Sequence, residues 1–148
     1  MKIYTIGFTK KSAKDFFSIL KKNNISKLID IRLNNASQLA GFSKGPDLKY
    51  FLKELCEIDY THDIDFAPTK EILDDYKKSR ITWSQYEERF NDLLTNRNIT
   101  SALNNYLSKP GEICLLCSES TPDNCHRRLV AEYAEKYFPD LDIEIIHL

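Results

Sequence analysis

No stretch of this 148-residue chain approaches the ~20 consecutive apolar residues of a membrane span, so no membrane partner is expected. Excess charge of either sign is missing as well. A formal net charge of −1 provides no global positive field for nucleic acid, which stays open as a partner but is not favoured. The phosphate-loop pattern G-x-x-x-x-G-K, the dinucleotide pattern G-x-G-x-x-G and the nucleophile elbow G-x-S-x-G do not occur, and the nucleotide and hydrolase folds that carry them are unsupported. There is no internal repeat, low-complexity tract or linker. The opening Met1-Lys2-Ile3-Tyr4-Thr5-Ile6 is too short an apolar stretch for a signal peptide and reads as a strand. That points to the cytoplasm, where thiols stay reduced. The four cysteines, Cys56, Cys114, Cys117 and Cys125, are therefore read as free thiols or ligands rather than a disulfide framework.

Apolar residues make up 42% of the chain, enough for one packed domain at this length. Lys2–Ile6 reads as a first strand ended by Gly7. Ser12 with Asp15 looks like a capping box, opening a helix whose inner stripe is Ala13, Phe16, Phe17 and Leu20. Lys27–Ile31 is a second strand, parallel to the first through a βαβ unit. Arg32–Pro46 is a long irregular segment, of the kind that is often functional. Pro46 then opens a helix, and Ile58–His62 is a third strand. Further helices start at Pro68, at a Thr82/Gln85 capping box and near Ile99. Ile113–Cys117 is an unbroken apolar run and reads as a strand buried on both faces. A long helix follows, and Ile143–Ile146 closes the chain as a strand. The expectation is a single three-layer α/β domain over residues 1–148, with a mostly parallel sheet of about five strands flanked by helices.

The chemistry is expected where the Ile113–Cys117 strand ends. Between it and the last helix stand Cys117, Glu119, Cys125, His126, Arg127 and Arg128. Thr121 reads as the N-cap of that helix with Pro122 at its first position, which places Cys125 to Arg128 in the first two turns. A helix N-terminus favours an anion and, beside guanidinium groups, lowers a thiol pKa. Three readings stand open. In the first, Cys117 or Cys125 is a thiolate nucleophile with His126 as base. In the second, Arg127 and backbone amides form an anion pocket without covalent chemistry. In the third, Cys117, Cys125 and His126 bind a metal. Against the third, residues 125 and 126 would point about 100° apart on a helix, and no metal is assigned. Cys114 and Cys117 lie three apart on a strand and so on opposite faces. The bland readings are a core Cys114, a packed His126 and a surface-paired Arg128.

Asp30 lies inside an apolar strand and needs a partner; Arg32 points to the same face. The pair is either structural or a substrate-holding carboxylate with its arginine. Ser37, Phe42, Ser43 and Lys44, on the long loop, are candidates to close over a ligand. Glu119 is a candidate base. Trp83, Tyr86 and Phe90 look like a ligand-stacking set, but their helical spacing favours core packing. Lys10-Lys11 reads as ordinary surface charge.

Taken together these residues resemble the Domain of Unknown Function 488 family. The resemblance rests on Tyr4-Thr5-Ile6-Gly7, Asp30-Ile31-Arg32, the Ser37 to Lys44 loop, Pro68-Thr69-Lys70-Glu71, Leu115-Leu116-Cys117-Ser118-Glu119 and Cys125-His126-Arg127. Two positions depart from the family pattern. Phe8-Thr9 stands where relatives have His or Tyr followed by Ser, and Ala36 stands where a proline is usual. The resemblance implies an α/β domain with its motifs at one sheet edge and implies no activity. Gly7, Thr9, Asp30, Arg32, Cys117 and Arg127 should then share one pocket, electropositive on its helix side. The leading expectation is a small cytoplasmic enzyme acting on an anionic, phosphorylated or nucleotide-like small molecule. Arg32 and Arg127 would hold the anion. Cys117 or Cys125 would be nucleophile or redox-sensitive thiol, with Asp30 or Glu119 as base. A sensor or binding module using the same pocket is the alternative, and an accessory nucleic-acid protein the third. Cofactor and oligomeric state are not legible.

Overall fold

The computed structural model describes residues 1–36 and 41–148; the expectation for Ser37 falls outside them. In chain order the elements are β1 (Lys2–Gly7), α1 (Ala13–Lys22), β2 (Ile25–Asp30), α2 (Gly45–Cys56) and β3 (Asp59–His62). They continue with α3 (Lys70–Lys77), α4 (Trp83–Asn96), α5 (Thr100–Leu107), β4 (Glu112–Cys117), α6 (His126–Tyr137) and β5 (Glu144–His147). The five strands form one all-parallel sheet in the order β3-β2-β4-β1-β5. The chain is an α/β domain of three layers, as the alternation of strand and helix patterns requires.

Local chemistry sets the element ends. Ser12 caps α1 by accepting from the Asp15 N–H. Thr82 and Gln85 close a reciprocal capping box on α4, satisfying two otherwise orphaned donors. The α3 helix starts two residues after Pro68, with Thr69 as its N-cap.

The pleat divides the core into two layers. Tyr4, Ile6, Leu28, Cys114 and Leu116 face α1 and α2, meeting Phe16, Phe17, Leu20, Leu48 and Leu52. Ile3, Ile29, Ile113 and Leu115 face α3–α6, meeting Phe90, Leu94, Leu103, Leu129 and Val130. Each fully buried large side chain contributes about 1.5–3 kcal/mol. Cys114 is thus a core residue on the α1/α2 side, opposite the face that Cys117 takes by alternation.

One consequence of the strand order positions the site. The central strand β4 leads to α6 on one face, while its neighbours β1 and β2 lead to α1 and α2 on the other. The chain therefore diverges at the C-terminal end of β4, where ligand crevices open in parallel sheets.

Candidate functional site

Cys117 is the last residue of β4, paired in register with Gly7 of β1. After it, Ser118–Asn124 carry the chain across the sheet edge. Here the structure corrects the expected helix start. Thr121 does not cap α6; the N-cap is Cys125, extended at φ −137°, ψ 134°. Asp123 and Asn124 occupy the centre of a turn closed by the Cys125 N–H on the Pro122 carbonyl at 3.2 Å, and that turn chemistry outcompetes an earlier helix start at Pro122. Because Cys125 is not helical, the 100° argument against its convergence with His126 does not apply. The two sulfurs and a His126 ring nitrogen lie within 4.8 Å of one another.

His126 reaches back over the edge of β2. Its Nε2 is 2.7 Å from the Ile31 carbonyl, which can only accept, so Nε2 carries the hydrogen. That leaves the Nδ1 lone pair facing Cys117 Sγ at 3.4 Å. The Phe90 ring meets the imidazole edge-to-face at 5.5 Å and holds its plane. A thiol, a ring nitrogen within reach of it and a third group orienting the ring are thereby brought together.

Cys117 is 5% exposed. The Cys125 thiol donates to it, which lowers its pKa; burial opposes, while the Ser118 and Glu119 N–H groups and the Arg127 charge lower it further. The net direction is down. Cys125 moves up, first through its bond to Cys117 and then through burial. Burial pushes Cys114 up and likewise Cys56.

Arg127 is completely buried. Its Nη1 donates to the Glu119 carbonyl and lies 3.6 Å from Cys125 Sγ. Among the described residues, Nε and Nη2 have no hydrogen-bond partner and no carboxylate pairs with Arg127. Its charge acts on Cys117 instead. Lys11 stands nearby, its pKa lowered by burial and then by Arg127. By its charge alone Lys11 is an ordinary surface residue; its place just past the end of β1 is the signal that puts it at this sheet edge. Arg128, by contrast, pairs with Glu87 and Glu132.

A cavity of about 200 Å³ opens over Cys117. Cys117, Cys125, His126, Arg32 and Glu119 line it together with Trp83 and Tyr86. Tyr86 and Phe90 are core as their spacing predicts, but the stacked Trp83–Tyr86 pair, 4.7 Å between centroids, is also cavity wall. Arg32 Nη1 is buried without a hydrogen-bond partner among the described residues, on a guanidinium otherwise fixed by Asp30 and Ser43.

Several expected site residues take other places. Arg127 lies behind the wall rather than in it, because α6 turns it toward β1. Asp30 is fully buried and does not line the cavity. Its oxygens accept from Arg32 Nε at 2.9 Å, Arg32 Nη2 at 2.7 Å and Tyr60 Oη at 2.6 Å, so it orients Arg32 and is not a free base. Ser43 contributes its carbonyl to Arg32 Nη2 at 2.7 Å. Phe42 packs on Phe16 and Phe17 across the sheet, and Lys44 is the N-cap position of α2; neither borders this cavity. Thr9 fixes the loop, both its N–H and its hydroxyl donating to the Ser118 carbonyl.

Gly7 is a spacer. A Cβ there would overlap the Glu119 carbonyl oxygen and come within 2.8 Å of Arg127 Nη1. The obstacle is backbone, so relaxation must move the loop or the strand. Gly7→Ala is expected to lower stability by roughly 1–3 kcal/mol, as overpacking does, and to weaken the Arg127 contact with Glu119. Urea unfolding of the variant checks this; a loss within ~0.5 kcal/mol, the range of a neutral surface change, would contradict the close approach.

Cys117, Cys125 and His126 could supply three metal donors. The Arg127 guanidinium at Cys125 works against a divalent cation there by like-charge repulsion.

The family model described as Domain of unknown function DUF488 matches residues 12–134, a span from α1 to α6 that includes the Asp30–Arg32 pair and the Cys117–Arg127 loop. No curated protein and no solved structure matches the chain.

Proposed function

The chain belongs to the family described as Domain of unknown function DUF488, and we propose that this member is a thiol-dependent enzyme acting on a small anionic, phosphorylated or nucleotide-like molecule. The observation that carries the reading is the Cys117–His126–Ile31 arrangement: sulfur 3.4 Å from Nδ1, with the other ring nitrogen held at 2.7 Å by a carbonyl. Cys117 gives its proton to His126 Nδ1 and attacks an electrophilic carbon or phosphorus of the substrate. The bond to the leaving atom breaks, and that atom takes the proton from Nδ1. Water then attacks the sulfur-bound group, giving its proton to Nδ1 and releasing the thiolate. Arg32 lines the cavity and its Nη1 has no partner among the described residues, which supports an anionic substrate oxygen as its acceptor. The stacked Trp83–Tyr86 pair supports a planar group against it. Four free thiols suit a reducing compartment such as the cytoplasm.

Thermal unfolding of wild type and Cys117→Ser against phosphate, nucleotides and sugar phosphates tests the reading. A ligand at ~100 times its dissociation constant adds ~2.7 kcal/mol, several degrees for a domain of this size. The expected result is a shift in both proteins, with a covalent adduct on Cys117 or substrate turnover in wild type alone. No shift with any member overturns the anionic-substrate assignment. A shift without adduct or turnover leaves a binding module.

A further inference from the structure

The group-transfer chemistry above gives Cys125 no role beyond one hydrogen bond. Yet this second thiol is buried at the reactive one and held outside the helix that follows it. We propose that Cys117 and Cys125 form a two-thiol redox couple that reduces a small hydroperoxide, Cys117 reacting first and Cys125 resolving it to an intrachain disulfide. The proposal rests on Cys117 being the reactive thiol of the site and adds an activity to it.

Reach is the first support. The two sulfurs lie within 4.8 Å of each other, against a disulfide bond of about 2.05 Å, so closure needs a short movement only. The backbone allows it. Cys125 sits at the N-cap with extended dihedrals and no side-chain cap bond, and Ser118–Asn124 between the thiols contain no helix or strand. Rotation of Cys125 therefore leaves α6 intact. No other thiol competes: Cys114 faces the opposite layer, and Cys56 ends α2 on that same side.

The surroundings supply the rest. The cavity over Cys117, about 200 Å³, has room for a small hydroperoxide at the sulfur. Arg127 Nη1, 3.6 Å from Cys125 Sγ, places a positive charge where the resolving sulfur becomes an anion. His126 Nδ1, 3.4 Å from Cys117 Sγ, can hold the Cys117 proton.

The step balances. The Cys117 thiolate attacks the terminal peroxide oxygen, the O–O bond breaks, and the alcohol or water leaves with the proton held on His126. Cys117 is now a sulfenic acid, oxidised by two electrons. The Cys125 sulfur attacks the Cys117 sulfur, the S–O bond breaks, and water departs carrying the Cys125 proton. Two thiols and one hydroperoxide become one disulfide, one alcohol and one water.

Hydrogen peroxide at stoichiometric dose, followed by intact mass and peptide mapping, tests this on the full chain. Wild type is expected to lose two hydrogens, with residues 117 and 125 cross-linked. Cys125→Ser is expected to stop at a Cys117 sulfenic acid that a cyclic 1,3-diketone traps. Oxygen gained at Cys117 in wild type without a cross-link overturns the couple, as does a cross-link to Cys56 or Cys114. Peroxide leaving Cys117 untouched also overturns it. Rapid Cys117 alkylation in the same protein then shows that the thiol reading stands without the couple; slow alkylation shows that both have failed.

Discussion

Asp30→Ala is expected to lower the unfolding free energy by roughly 3–5 kcal/mol, the usual cost of removing one partner from a buried ion pair. Asp30 is fully buried and Arg32 is 3% exposed. Their bond is two-pronged, Nε to Oδ1 and Nη2 to Oδ2, with Tyr60 and the Arg32 N–H also donating to the same carboxylate. Removing the carboxylate leaves a guanidinium in a low-dielectric interior, two sp² oxygens short. The Ser43 carbonyl and the Phe8 ring, 5.2 Å from the guanidinium carbon, remain beside it. Natural domains have only ~5–15 kcal/mol in total, so this variant becomes marginal. The double variant Asp30→Ala/Arg32→Met removes the stranded charge as well and is expected to recover a large part of the loss. Urea unfolding of the three proteins reads both effects. A single-variant loss under ~1 kcal/mol, the scale of an exposed pair, would show that water reaches Arg32 and that the pair is not the rigid base of the cavity.

That pair also illustrates how far residues alone carry the argument. An Asp in an apolar strand demands a partner, and Arg32 two positions on is on the same face, so the pair itself is legible. Its use is not. Whether Asp30 faces a ligand or only Arg32 depends on Tyr60, which arrives from β3 through a strand pairing that the local pattern does not encode. The Thr82/Gln85 box and the apolar Ile113–Cys117 run are local signals, and their elements form as read. Strand order is a long-range property: β1 and β2 are parallel as their βαβ unit requires, yet β4 inserts between them. Phe42 could have faced either side of the sheet edge; the aromatic pair on α1 decides it. At α6 two good local signals competed, a Thr-Pro helix start and an Asp-Asn turn. The turn prevails, and with it comes the convergence of Cys125 and His126 that helical geometry would have forbidden.

At pH 7, Cys117 is expected to alkylate with iodoacetamide faster than Cys56, Cys114 or Cys125. An ordinary thiol with pKa near 8.5 is only a few per cent ionised there. A lowered pKa raises the thiolate fraction of Cys117 above that, and the lower nucleophilicity of a more acidic thiolate takes back only part of the gain. The other three move the opposite way: burial raises Cys56 and Cys114, and the bond to Cys117 raises Cys125. The pH profile separates ionisation from mere exposure. An ordinary thiol gains about tenfold in rate per pH unit below its pKa, whereas Cys117, lowered by the Cys125 thiol, the Ser118 and Glu119 amides and Arg127, should level off at a pH where the unfolded chain is still climbing. Stability carries a linked sign. A thiol whose folded pKa lies below its unfolded value contributes stability that is complete above the unfolded pKa and is lost as pH falls through the folded one. Replacing Cys117 by Ser should therefore flatten stability on the acid side of the thiol range. Cys125→Ala removes the largest cause of the lowering and should move the levelling point of Cys117 upward. If the Cys117 rate instead rises tenfold per unit through pH 8 and is indifferent to Cys125, its sulfur is an ordinary buried thiol. The His126 contact is then packing rather than chemistry.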